Sequence, residues 1–133
     1  MSLKEKIIEE MTTDYTGILE RNFEQVKQIL KISKNGKVEI SNKDIYSGEE
    51  LILLYLIGKA YCKEAGYSDV ASVGNKELIE ELGKPEGSVK PWTKNLRDKG
   101  RIKQDKDSST AAHYILPQLI ETVMKGIVDK KRA

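Results

Sequence analysis

The residues with the clearest chemical potential lie in the stretch GNKELIEELGKPEGSVKPWTKNLRDKGRIKQ, Gly74 to Gln104. Its first half is acidic, and its second half is loaded with lysine and arginine. Residues 84–107 carry eight Lys/Arg against four Asp/Glu, a net of +4. Residues 1–50 and 51–83 are each net −2, and residues 108–133 are net +2. The 133-residue chain as a whole is only +2, so the positive charge is a local feature. Clustered ammonium and guanidinium groups suit a polyanion, and a local patch matters more for that purpose than the chain total.

Other chemistries have little to work with. Cys62 is the only cysteine and His113 the only histidine, which excludes an intramolecular disulfide and a two-histidine metal site within one chain. A nucleophile–base pair is equally hard to assemble from one thiol and one imidazole on separate elements. No G-x-x-x-x-G-K-S/T or G-x-G-x-x-G string occurs. The carboxylate pairs Glu9-Glu10, Glu49-Glu50 and Glu80-Glu81 are adjacent on helices and point to different sides, as solubilising surface does. The expectation is therefore a protein without catalytic residues, metal or cofactor. Apolar residues are 38% and charged residues 33%, the balance of a globular chain. The longest apolar run, LILLYLIG, ends at Lys59, far short of the roughly 20 residues that span a bilayer. With no secretory h-region in MSLKEKIIEE, a cytoplasmic location is expected.

The elements that position the basic run follow from periodicity. Ile7, Ile8, Met11, Tyr15, Ile18, Leu19, Phe23, Val26, Ile29 and Leu30 recur at spacings of three and four, which predicts amphipathic helix over Leu3–Leu30. Thr12, Thr13 and Gly17 weaken its middle and allow a break between them. Ile32, Val38 and Ile40 alternate around Asn35-Gly36, which predicts a β-hairpin with a type I′ turn. Ser47 and Glu50 form a capping box before LILLYLIGKAYCKEA, a helix apolar on nearly all sides and hence central. Gly58 within it signals close approach by another backbone, and Cys62 reads as a small buried hydrophobe. A short extended stretch is expected at Ala71–Val73. Asn75 then caps the helix KELIEEL, which Gly83 stops.

Lys84–Gly87 is too short to be more than a turn. Ser88 is expected to cap the next helix, which puts Pro91 at the third helical position, where a missing amide costs nothing. Val89, Trp92 and Leu96 share one face, and Trp92 belongs with the core rather than with a base. Gly100 ends this helix. RIKQDKDSSTAAHYILP then reads as a strand at Arg101–Gln104, a loop and a second strand at Ala111–Leu116. One of His113 and Tyr114 points inward. Pro117 starts a final helix.

Two short helices, a turn and a hairpin in this order resemble the winged helix-turn-helix superfamily of prokaryotic DNA-binding proteins, over about Gly48–Leu116. Thr93 and Arg101 depart from its pattern, which usually has apolar residues there. The expected class is mainly α with a small β component (α+β). Residues 1–46 would form a helical extension with a short hairpin, and residues 47–133 the winged helix-turn-helix domain with a C-terminal helix.

The resemblance implies a helix over Val89–Lys99 in the major groove of duplex DNA, in a transcriptional regulator. Phosphates would be met by Lys84, Lys90, Lys94, Arg97 and Arg101, by Lys103 or Lys106 in the wing, and by Ser88 with the adjacent helix amides. Lys90, Lys94 and Asn95 would read bases. The alternative is a winged-helix module that binds protein within a larger nucleic-acid-processing complex. The first helical segment either folds onto the domain or pairs with its twin. A homodimer through Leu3–Leu30, with or without the C-terminal helix, is the expectation. The sequence carries no signature of a small-molecule effector.

Overall fold

The run LILLYLIG, the least soluble part of the chain, becomes the centre of the fold. In a computed structural model, which describes residues 2–11, 15–105 and 112–132, it lies in helix α3 (Gly48–Glu64). Residues 51–59 and Cys62 of this helix are all buried. Its capping box forms as expected: Ser47 Oγ accepts from the Glu50 amide at 3.2 Å, and Glu50 Oε1 accepts from the Ser47 amide at 2.8 Å. At the other end Gly66 turns left-handed (φ +82°), and the Tyr67 amide reaches back to the Cys62 carbonyl at 2.9 Å.

The long N-terminal segment is helical at α1 (Leu3–Met11) and α2 (Tyr15–Ile29); residues 12–14, where the expected break would begin, lie outside the described residues. Helix α2 packs along α6 (Pro117–Arg132), burying Ile18, Leu19, Val26 and Ile29 among Ile120, Val123, Met124 and Ile127. Strands β1 (Leu30–Ile32) and β2 (Val38–Ile40) pair antiparallel, Leu30 opposite Ile40 and Ile32 opposite Val38, and lie against α3. One core runs from Ile18 to Ile127, so residues on both sides of position 46 share it. The chain is mainly helical with a small strand component, an α+β arrangement.

Two details of the hairpin differ from expectation. Only Gly36 has a positive φ (+82°), and Asn35 does not, so the turn is not type I′. Five residues connect the strands, and Ser33 closes them by accepting from the Gly36 amide at 3.0 Å and donating its own amide to Lys37 O at 3.0 Å. A loop of that length needs no pair of left-handed residues. At Gly58 the close neighbour is the Val38 side chain, not a backbone. A Cβ there would overlap both Val38 methyls.

Lys59, which interrupts the apolar run, is 6% exposed. A buried ammonium is tolerated only when paired. Its Nζ donates to Gly36 O at 2.8 Å and lies 3.4 Å from Glu77 Oε2. The same carboxylate accepts from Tyr55 Oη at 2.5 Å, and Lys37 approaches its other oxygen at 3.5 Å. The group ties α3, the hairpin turn and helix α4 (Asn75–Leu82) together.

The basic segment occupies helix α5 (Glu86–Asp98). Beyond it β3 (Val73–Gly74), β5 (Ala112–Tyr114) and β4 (Lys103–Asp105) form an antiparallel sheet with β5 in the middle, Gln104 and Val73 both facing His113. The extended stretch anticipated at 71–73 is therefore a true strand, shifted by about one residue.

Candidate nucleic-acid interface

Helices α4 and α5 are joined by three residues. Gly83 ends α4 in the left-handed region (φ +66°), its amide bonded to Ile79 O at 3.1 Å. The start of α5 corrects the sequence reading. Pro85, extended at φ −71° and ψ 155°, is the N-cap, and no side chain caps the helix. Ser88 is the third helical residue rather than the cap. The Ser88 and Val89 amides both donate to Pro85 O at 3.0 Å. A carboxylate at Glu86 in the first turn complements the helix dipole in place of a capping hydroxyl. Pro91 is consequently sixth in the helix, not third, and the Gly87 carbonyl loses the amide it would bond. Gly87 and Pro91 are both exposed, so water can satisfy that carbonyl.

Val89, Thr93 and Leu96 are buried, and Thr93 Oγ1 satisfies itself on Lys90 O at 2.9 Å. A threonine therefore occupies a core position without an orphan hydroxyl. Trp92 packs against the core over the first turn of α3, where its ring fills the place a Cβ of Gly48 would need. That contact explains a glycine directly after the Ser47 cap. The C-terminus closes on Gly100 (φ +73°), with Gly100 N to Arg97 O and Arg101 N to Leu96 O, both at 2.9 Å. This double closure turns the chain and lets Ile102 enter the core at 1% exposure.

The nine sequence-derived site residues separate into groups. Lys84, Lys90, Lys94, Arg101 and Lys103 are exposed, on the turn before α5, on α5 itself, just after it and on β4. Lys90 bonds Glu86 at 2.7 Å one turn earlier, and that contact holds the Glu86 carboxyl below the usual carboxylate range. Both side chains stay about 60% exposed. Ser88 is half-buried. Asn95, expected to read bases, is committed elsewhere: its Nδ2 donates to Glu49 Oε2 at 2.9 Å on α3. Lys99, not anticipated, joins the same carboxylate at 3.7 Å. Glu49 therefore draws one flank of α5 toward the core helix. Lys106 lies outside the described residues.

Arg97 turns to the opposite flank. Its Nη1 is 3.4 Å from His113 Nδ1, and His113 Nε2 is 2.9 Å from Asn75 Oδ1. A guanidinium only donates, so Nδ1 must accept, and Nε2 carries the proton given to Asn75. Of the His113–Tyr114 pair, His113 is the inner member, at 0% exposure. Burial first, and the Arg97 charge second, push its pKa down to about 4. The imidazole is thus neutral at pH 7 and joins α4, α5 and β5. Asn75 is the first residue of α4, with Gly74 as N-cap, and its amide serves the histidine instead of the helix end. The signal for this bridge was the lone histidine in a strand after a basic helix, but nothing in the spacing linked it to Asn75.

Two further ionisable groups are shifted by burial. Burial raises the Cys62 thiol pKa, and burial likewise pushes the Tyr61 phenol up to about 12 as its Oη donates to Leu19 O at 2.6 Å. Among the described residues no buried side-chain nitrogen or oxygen lacks a partner, and no helix is long and apolar enough to cross a membrane. No protein-family model, curated protein or solved structure matches this chain.

Proposed function

We propose that this chain binds duplex DNA in the manner of a winged helix-turn-helix protein and acts as a cytoplasmic transcriptional regulator. Helix α5 lies in the major groove and the β4–β5 hairpin is the wing. One observation supports this most: α5 is anchored by Val89, Thr93 and Leu96, while Lys90 and Lys94 on its other side remain exposed. Lys84 extends the cationic strip at one end, and Arg101 and Lys103 extend it at the other. Neither α2 nor α6 covers it, because they pack on each other. Lysines on this strip meet phosphates, and Lys94 is the residue best sited to reach a base edge. Asn95 would have to leave the Glu49 carboxylate before it could bond a base.

A second reading, a module that docks on protein within a nucleic-acid-processing complex, is favoured by Glu86 and the exposed Asp98, which dilute the charge of the same face. Salt separates the two. Anisotropy on pooled random duplexes should show affinity falling steeply with salt. Lys90→Glu with Lys94→Glu should lower the log–log salt slope by about 2, since each lost phosphate contact is worth about 0.9. Wild-type protein with no salt-sensitive affinity for duplex hands the assignment to the protein-docking reading.

A further inference from the structure

We infer that α1 is an arm that docks on a second copy of this chain, in the apolar groove walled by Phe23, Val26, Leu30, Ile32 and Tyr61. The nine described residues of α1 bring Leu3, Ile7, Ile8 and Met11 to the surface, and removing such apolar area from water is favourable. Its described side chains are all exposed, Leu3 at 73%, Ile8 at 56% and Met11 at 78%. The groove is the matching gap: a cavity of about 240 Å³, floored at Gly58, with Phe23 49% exposed at its rim.

Area argues for a second copy. Taking roughly 200 Å² for each large apolar side chain, the exposed portions of Leu3, Ile7, Ile8, Met11 and Phe23 amount to about 600 Å². Reciprocal docking covers about 1,200 Å² in all, the lower end of a stable interface. The other faces expected to dimerise are already used, since α2 and α6 bury theirs against each other. Charge agrees. The groove is flanked by Lys27 and Lys31 and lined by no carboxylate, whereas Leu3–Met11 carries three glutamates against two lysines. Lys27 also bonds Glu24 at 2.8 Å and sits 5.3 Å above the Phe23 ring, so it must swing aside as the arm enters. A net-negative arm is poorly suited to an anionic bilayer.

The inference is independent of DNA binding and is tested without DNA, by sedimentation equilibrium on the full chain. The expected mass is about 30 kDa, twice the 15.0 kDa of one copy. Ile8→Glu with Met11→Glu should halve it with the core intact by near-ultraviolet dichroism, because both positions lie outside the core. Phe23→Glu should do the same. An equimolar mixture of those two proteins should associate more than either alone, but more weakly than wild type, since one intact arm meets one intact groove and covers about half the area. A wild type that stays near 15 kDa at all concentrations overturns the proposal, whether or not it floats with phosphatidylserine vesicles. A dimer that survives both sets of substitutions also overturns it.

Discussion

Replacing His113 with glutamine should flatten the dependence of stability on pH below neutrality. The imidazole is fully buried between Asn75 and Arg97, with a folded pKa of about 4 against an ordinary value of 6.5. The sign follows from proton binding. Between these two values the unfolded chain takes up a proton that the folded chain refuses, so folding weakens as pH falls. The contribution is fully present above pH 6.5 and is lost progressively down to about pH 4. A gap of about 2.5 pKa units corresponds to about 3 kcal/mol at most, at 1.36 kcal/mol per unit. Between pH 7 and pH 5 the loss should be about 2 kcal/mol.

Urea unfolding followed by the fluorescence of Trp92, the sole tryptophan, measures this directly. Carboxylates titrate in both proteins, so the quantity of interest is the difference between wild type and His113→Gln. Wild type should lose about 2 kcal/mol more than the variant over that interval. Parallel curves would mean that the imidazole is protonated in the folded state or reached by water, and the assignment of Nδ1 as acceptor would fail.

Four further substitutions, and a fifth in combination, test other parts of the fold. Ser47→Ala should cost about 1 kcal/mol through loss of the capping box, whereas Ser88→Ala should change stability by less than about 0.5 kcal/mol because Ser88 caps nothing; equal losses in urea unfolding would restore Ser88 as a cap. Pro91→Ala should stabilise by about 2–2.5 kcal/mol, the roughly 3 kcal/mol of an interior proline less the roughly 0.4–1 kcal/mol of unfolded-state entropy it removes; a destabilised variant by the same assay would place Pro91 in the first turn. Gly58→Ala should destabilise by about 1–2 kcal/mol, as overlap with Val38 outweighs a helix-propensity gain of about 1 kcal/mol. Adding Val38→Ala should make the pair less than additive in a double-mutant cycle.

Local rules carried much of the fold. The capping box at Ser47, the left-handed glycines at 83 and 100, and the proline that opens α6 are decided within a few residues, and each appears where the pattern put it. Periodicity likewise separated the elements, because apolar spacing reports which face is buried. The start of α5 escaped because two prolines compete there. Ser88 looks like the better cap by residue type, but Pro85 already has its φ near the required value and Glu86 offers a first-turn carboxylate. What no local rule contained was pairing across the chain: Asn95 with Glu49, 46 residues apart, His113 with Asn75, 38 apart, and Lys59 with the Gly36 carbonyl, 23 apart. Each of these residues looked free or merely polar in sequence. The Asn95 contact could not be foreseen, since a surface asparagine on a basic helix looks the same in sequence whether or not a glutamate from another helix lies beside it.

These long-range pairs also bear on how α5 is presented. Its inner face is apolar, but its rotation about its own axis is set by polar contacts on the two flanks, Asn95 and Lys99 to Glu49 on one side and Arg97 to His113 on the other. Apolar contacts tolerate small rotations, whereas a hydrogen bond weakens steeply once its angle opens. The two flanks therefore fix which lysines face outward. The first flank is exposed and salt-screened, so it contributes little energy. The second is dry and joins α4, α5 and β5 through one imidazole. Loss of His113 should accordingly disturb the relation between the lysine strip and the hairpin more than loss of Glu49 does, even where both variants remain folded.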